Sequence, residues 1–422
     1  MKPKIVIAET IAQAGVDLLA ERFDVDVAVG LSSADLMARL GDASGLIVRS
    51  ATTVDAEMIA AAPQLKVIGR AGIGVDNIDL SAATARGVLV VNAPNANTIS
   101  AAEQAMALLL SQARNTPQAH AKLTSGVWDR KSFQGVELHG KTIGIIGLGK
   151  IGTLVAQRCA AFGMKVCAYD PFVTDDRARR LGVELVELDT LLGQADFISI
   201  HLPKTPETEN LIGGDNIAKL KPGVRIVNTS RGGIVNEVEL AKAIEDGVVG
   251  GAGLDVFATE PTTDSPLFGL GQVVVTPHLG ASTAEAQDKA GTDVAEAVAS
   301  ALAGDLVLSA VNVDLGPEVT EEVRAFLPVA ENLGRAFVGL ARGITGALTV
   351  KAEGRIAGQP IRPLKLAVLK GLLEAVTDDP VSYVNAPSMA EAHGISVDLE
   401  ATEQAQDYVS SVRVAGGGAS GP

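Results

Sequence analysis

Cysteine and aromatic side chains are scarce: 2 cysteines in 422 residues, and aromatics at 3%. Two thiols, Cys159 and Cys167, cannot make a disulfide framework in a chain this long, and no Cys or His spacing matches a zinc site, so no metal is expected. A basic excess is missing too, since 35 Lys and Arg stand against 50 Asp and Glu for a formal net charge of −15. Nucleic acids and anionic membrane surfaces would be repelled, and an anionic ligand would need a locally basic pocket. No apolar run approaches the roughly 20 residues of a membrane span. No secretory segment opens the chain, so a cytoplasmic protein is expected. What is abundant is Val, Ile, Leu, Ala and 45 glycines, with 47% hydrophobic residues overall. That composition suits an α/β protein, and the length suits two or three domains.

The most informative stretch is Lys141-Thr142-Ile143-Gly144-Ile145-Ile146-Gly147-Leu148-Gly149-Lys150-Ile151-Gly152, an apolar strand that empties into three spaced glycines. Gly147 permits a tight turn, Gly149 lets backbone approach a pyrophosphate, and Gly152 lets the following helix pack on the sheet. A helical segment follows from Ile151 to Phe162. The next strand ends at Asp170, 18 residues past Gly152 (170 − 152). A carboxylate there accepts hydrogen bonds from an adenosine ribose and repels a 2′-phosphate, so NAD is expected rather than NADP. An ordinary strand-to-helix loop with a turn acid is the alternative.

Strands alternate with helical patterns on both sides of this turn, which predicts parallel sheets whose ligands bind beyond the carboxyl ends of the strands. Strand candidates before it are Lys4 to Ala8, Leu46 to Val48, Leu65 to Gly69 and Val88 to Asn92. Arg49 and Arg70 fall just past two of them, and Arg70 is followed by Ala71-Gly72-Ile73-Gly74. Guanidinium forks beside bare amides suit a carboxylate or phosphate, although solvated loop arginines would look the same. Three strands after the turn are followed by Arg231, Glu260 and His278, so three ionisable groups reach one rim. Beside a nicotinamide, Arg231 could clamp the carboxylate of a 2-hydroxy acid, His278 could take the hydroxyl proton, and Glu260 could fix the imidazole's tautomer. Taken singly, each also fits a turn residue or a structural histidine. Trp128 reads as a packing or interface anchor.

Past Leu315 the pattern changes to a helix over Val319–Leu340, strands over Gly346–Glu353 and Arg355–Pro360, a helix over Leu364–Ala375 and a strand over Tyr408–Val414. A short strand is expected at Ser309–Val313, and the glycine-rich Val414–Pro422 is expected to be mobile.

Several motifs in order resemble the D-isomer-specific 2-hydroxyacid dehydrogenases over nearly the whole chain, most closely the long bacterial branch acting on 3-phospho-D-glycerate. They are Gly69-Arg70-Ala71-Gly72-Ile73-Gly74-Val75-Asp76-Asn77, Trp128-Asp129-Arg130, the glycine turn, Asn228-Thr229-Ser230-Arg231-Gly232-Gly233, Gly253 through Pro261, and Thr276-Pro277-His278-Leu279-Gly280. The resemblance implies a flavodoxin-like substrate lobe (1–97 and 284–314) and a Rossmann NAD lobe (98–283), both doubly wound parallel sheets. A smaller α+β domain of the intervening type (315–422) would follow. It assigns Arg231, Glu260 and His278 as the catalytic trio. Lys150, Ile151, Asp170, Thr208, Thr229, Asp255 and Gly280, with Gly147, Gly149 and Gly152, would meet NAD. Arg49, Arg70 and Gly72 would meet the substrate, with Arg130 reaching it from a neighbouring subunit. The implied activity is NAD-dependent oxidation of 3-phospho-D-glycerate to 3-phosphooxypyruvate, the first step of L-serine synthesis, in a homo-oligomer (dimer or tetramer). Relatives of this branch add a serine-binding regulatory domain; the sequence ends at Pro422 before one, and the intervening-type domain is expected to be incomplete. Another D-2-hydroxy acid (2-hydroxyglutarate, glycerate or lactate) and an NAD(H)-sensing corepressor-like role are the alternatives.

Overall fold

A computed structural model describes residues 2–316, 319–341, 346–379, 381–405 and 407–416. The chain forms two compact units, one from Met1–Ala96 with Gln287–Pro422, the other from Asn97–Ala286.

In the first unit, strands β1 (Lys4–Ile7), β2 (Asp24–Val27), β3 (Ala43–Val48), β4 (Val67–Arg70) and β5 (Leu89–Asn92) form one sheet in the order β2-β1-β3-β4-β5. Every pairing is parallel. Central strands of such a sheet are covered on both faces, which is why Leu46-Ile47-Val48 reads as an unbroken apolar run. One face packs Leu36, Leu40, Met58 and Ile59 against Leu46 and Ile68; the other packs Leu19, Val294 and Val298 against Ile5, Ile47 and Val67. The edge strand β2 has no buried residue, its ends Asp24 and Val27 being exposed, and alternates acid with valine, so it shows no apolar run. Ser309–Val313, expected as a strand, makes only an antiparallel bridge between Ala310 and Val91.

In the second unit, β6 (Thr142–Ile146), β7 (Lys165–Tyr169), β8 (Glu184–Leu185), β9 (Phe197–Ile200), β10 (Val224–Asn228), β11 (Val249–Leu254) and β12 (Val273–Val275) form an all-parallel sheet. Its order is β12-β11-β10-β9-β6-β7-β8, so the direction of winding reverses between β6 and β9. That switch point leaves a crevice at the carboxyl ends, and the Gly147 turn leaves β6 there.

The remaining sheet belongs to the first unit. β13 (Ala347–Gly354) pairs parallel with β14 (Ser396–Thr402) and antiparallel with β15 (Ser410–Gly416). The helices Glu321–Ala341 and Arg362–Glu374 pack on it around Leu327, Leu348, Leu364 and Leu372. Two expectations fail in this region. Arg355–Gly358 is a 3-10 turn rather than a strand, because Gly354 takes a φ of 80° that ends β13. Val414–Gly416, expected as mobile tail, is edge strand; the rest of that tail, 417–422, lies outside the described residues.

Gly69, beside Arg70, is where the sheet and the returning helix Ala284–Ala303 touch most closely: a Cβ there would lie 2.6 Å from Val298 Cγ2 and 2.7 Å from Val294 Cγ2. Gly69→Val should therefore destabilise the chain by about 1–3 kcal/mol through overpacking, read as a lower midpoint in denaturant. An unchanged midpoint would show that the helix can move away at no cost.

Candidate active site

The second unit gathers polar side chains where β10, β11 and β12 end. Asn228, the last residue of β10 and 1% exposed, folds the following turn with its amide. Its Nδ2 donates to the Arg231 carbonyl at 2.9 Å, and its Oδ1 accepts from Ser230 N at 3.0 Å and Ser230 Oγ at 2.8 Å. Arg231 is thereby held at the rim. A Cβ on Gly232 would collide with the Phe257 carbonyl, so this turn lies directly against the loop that carries Glu260.

Asp255, fully buried after β11, organises the next turn. Its Oδ1 accepts from Leu279 N at 2.7 Å and Thr276 Oγ1 at 2.6 Å, and its Oδ2 accepts from Gly280 N at 2.8 Å. Gln104, on the helix Thr98–Arg114, donates to Thr276 Oγ1 at 2.9 Å. Between these anchors His278 adopts a φ of 55°, a left-handed conformation that non-glycine residues rarely take. Its amide donates to the Asp255 carbonyl at 2.9 Å.

That conformation places His278 Nδ1 2.6 Å from Glu260 Oε2, while Glu260 Oε1 accepts from Phe257 N at 2.8 Å. Burial pushes the Glu260 carboxyl up, but the hydrogen bonds from His278 and Phe257 and the charge of Arg231 outweigh it and hold it below the usual carboxylate range. An ionised Glu260 can only accept, so Nδ1 carries the proton and Nε2 is the nitrogen left to exchange one. The Glu260 hydrogen bond raises the His278 pKa above its ordinary 6.5, with Asp255 assisting and burial and Arg231 opposing. His201, by contrast, is stripped of water and pushed down to about 4. Arg231, Glu260 and His278 thus act on one another electrostatically, as their common place after three adjacent strands suggested.

The glycine turn is built for close approach. A Cβ on Gly147 would lie 2.5 Å from the His201 carbonyl, and one on Gly152 would strike the Gly147 carbonyl. Gly149 instead faces open space and starts the helix Lys150–Ala161 with no side-chain cap, so the N-terminal end of that helix suits an anion. Asp170 accepts from Leu148 N at 2.8 Å and Phe172 N at 2.9 Å, which fixes the carboxylate and leaves lone pairs on both oxygens. Thr229 Oγ1 is buried without a partner, an orphan that a bound ligand could satisfy. An uncapped helix start, a fixed acid and an orphaned hydroxyl fit a dinucleotide. Thr208 turns its hydroxyl inward to the Pro203 carbonyl at 2.7 Å, and Gly280 is buried with its amide on Asp255.

Arg49, Arg70 and Gly72 lie in the first unit: Arg49 follows β3, Arg70 is the last residue of β4 and Gly72 comes just after it. A Cβ at Gly72 would overlap the Arg70 guanidinium, so the glycine makes room for that side chain to fold back. Arg130 is exposed in the second unit, beside Leu123, Val127 and Trp128, which are 53%, 44% and 78% exposed. Asn228, Thr276 and Gln104 carry little signal in the sequence: the first two are short polar residues at strand ends and the third is one polar residue within a helix.

Residues 106–280 match the family described as D-isomer specific 2-hydroxyacid dehydrogenase, NAD binding domain, and residues 322–417 match that of the D-3-phosphoglycerate dehydrogenase intervening domain. The D-3-phosphoglycerate dehydrogenase of Mycobacterium leprae is 53% identical over 412 residues, covering 98% of this chain and 78% of its own. That of Synechocystis is 46% identical over 420 residues, covering 99% and 76%. An NAD-dependent formate dehydrogenase from Staphylococcus aureus, solved in complex with NAD, superposes with a TM-score of 0.63 at 31% identity, over 70% of this chain and 95% of that one.

The Glu260–His278 pair has a pH signature. A base must be unprotonated, so hydroxy-acid oxidation should fall as pH drops through a His278 pKa above 6.5, and oxo-acid reduction should fall as pH rises through it. Glu260→Gln removes the main cause of the elevation and should move the acid limb of oxidation to lower pH. A limb that stays in place would mean that another group titrates.

Proposed function

Because the chain belongs to the D-isomer-specific 2-hydroxyacid dehydrogenase family, we propose that it oxidises 3-phospho-D-glycerate to 3-phosphooxypyruvate with NAD, the entry step of L-serine synthesis. The observation that carries this reading is the His278 imidazole, proton-oriented by Glu260 at 2.6 Å, on the same sheet rim as Arg231 and the dinucleotide turn.

Bound NAD supplies the acceptor for the C2 hydrogen and its bonding electrons. Arg231 holds the substrate carboxylate and polarises the C2 oxygen, which orients the reacting carbon. His278 Nε2 takes the hydroxyl proton as C2 becomes a carbonyl, and Glu260 stabilises the imidazolium. Lys150 and Ile151 at the helix start meet the pyrophosphate, Asp170 the ribose, and Thr229 and Gly280 line the site beside Asp255 and Thr208. Arg49, Arg70 and Gly72 form the substrate side, where two cations in a chain of net charge −15 give a phosphorylated acid its local attraction. The substrate domain thus comprises 1–97 with 284–314, the NAD domain 98–283 and an intervening-type domain 315–422. Exposed Leu123, Val127 and Trp128 pair copies of the chain, and Arg130 beside them reaches the substrate of a neighbouring copy. Two buried thiols with no disulfide suit a reducing cytoplasm. Among the described residues no helix is long and apolar enough to cross a membrane.

Two measurements test this. Protein given NAD and a panel of D-2-hydroxy acids should produce reduced cofactor fastest with 3-phosphoglycerate, and His278→Ala should lose about 10²–10⁴-fold in kcat while still binding NAD. A preference for lactate or 2-hydroxyglutarate would overturn the substrate. Asp170→Ala should raise KM for NAD about tenfold or more and narrow the preference over NADP, whereas an unaltered cofactor ratio would remove Asp170 from ribose recognition.

A further inference from the structure

The loop after β3 contains Arg49, Ser50, Ala51 and Thr52, and its peptide groups are drawn in two directions by two side chains from other loops. Glu9, just past β1, accepts on Oε1 from Arg49 N at 2.8 Å and Thr52 N at 2.9 Å, and on Oε2 from Ala51 N at 3.2 Å. Asn77, past β4, donates from Nδ2 to the carbonyls of Arg49 at 2.8 Å and Thr52 at 2.6 Å. Asn77 is anchored in turn, its carbonyl accepting from Val54 N at 2.8 Å. Arg49 therefore has both its amide and its carbonyl fixed, without a strand or helix to do so.

The placement gives this clamp a purpose beyond turn formation. In the order β2-β1-β3-β4-β5 the winding reverses between β1 and β3, where sheets of this topology bind ligands. Glu9 and Arg49 sit on the two sides of that reversal. An acid there would repel an anionic substrate, but both Glu9 oxygens are engaged by backbone N–H groups that offset its charge, so it serves as scaffold. A fixed backbone lets the long Arg49 side chain meet an anion with less ordering cost at the moment of binding.

We infer that Glu9 and Asn77 are positioning residues that preset the Arg49 loop for the anionic substrate, an inference that rests on reading Arg49 as a substrate residue. Neither touches the reacting atoms, so the expected change lies in KM for the acid. In the full-length protein Asn77→Ala should raise KM for 3-phosphoglycerate about tenfold, leaving kcat within about threefold and KM for NAD unaltered. Glu9→Ala should do the same, and Glu9→Gln, which keeps the oxygen that serves Arg49 and Thr52, should recover part of the loss. The double variant Arg49→Ala with Asn77→Ala should bind no worse than Arg49→Ala alone, because the clamp acts through that side chain. Additive losses, or parental KM in a variant whose Tm falls, would overturn the clamp and leave Arg49 standing. A parental KM in Arg49→Ala would overturn both readings. Should Asn77→Ala not fold, the Glu9→Gln comparison decides by the same criteria.

Discussion

A buried carboxylate is the constraint on which the rest of the site depends. Asp255 is fully buried, and its carboxylate accepts from two backbone amides, a hydroxyl and a side-chain amide, from Leu279, Gly280, Thr276 and Gln104. Those bonds fix the turn in which His278 takes a left-handed backbone, a conformation costing on the order of 1 kcal/mol that the surrounding hydrogen bonds offset. From the backbone follows the imidazole's place beside Glu260, from that place the raised pKa, and from the pKa a base suited to accept a proton near neutrality. Replacing any link moves those after it.

The same device recurs at other strand ends. Asn228 folds the turn that presents Arg231, and Glu9 with Asn77 holds the loop that presents Arg49. In each case Asn or carboxylate side chains take up the peptide groups released where a strand stops, and an arginine is left at the rim. Parallel sheets collect such rims at one edge, because every crossover returns the chain in the same direction. The two sheets differ in order but share this consequence, and the charged residues proposed for chemistry lie at the carboxyl ends in both.

Much of this was legible beforehand. Apolar runs located β1, β3 to β7, β9, β10 and β12, whereas the strand expected at Gly253–Phe257 lies past most of the glycine-rich β11. The spacing of Gly147, Gly149, Gly152 and Asp170 marked the dinucleotide turn, because each glycine answers a steric demand that no other residue meets. Arg231, Glu260 and His278 could be grouped from their common position after strands. Elements lacking an apolar run escaped: β2 and β8 at the sheet edges, and β14, which alternates charge with apolar residues. Arg355–Gly358 was misread because Arg-Ile-Ala has a strand-like composition, whereas the backbone at Gly354 decides its course. The clamps were invisible for a different reason. Glu9 and Asn77 are 68 positions apart (77 − 9), and only the closed sheet brings them to one loop.

If the turn held by Asp255 governs the chemical step, the most direct measurement is the single-turnover rate of NAD reduction in Asp255→Asn, with NAD and 3-phosphoglycerate both saturating so that binding is removed from the comparison. An asparagine turns a donor toward one of the N–H groups, and His278 loses its fixed backbone. The rate should fall about 100-fold or more, as expected when a base loses its orientation. A single-turnover rate equal to the parent's would contradict the account, because His278 would then act without the constraint from which its position has been derived.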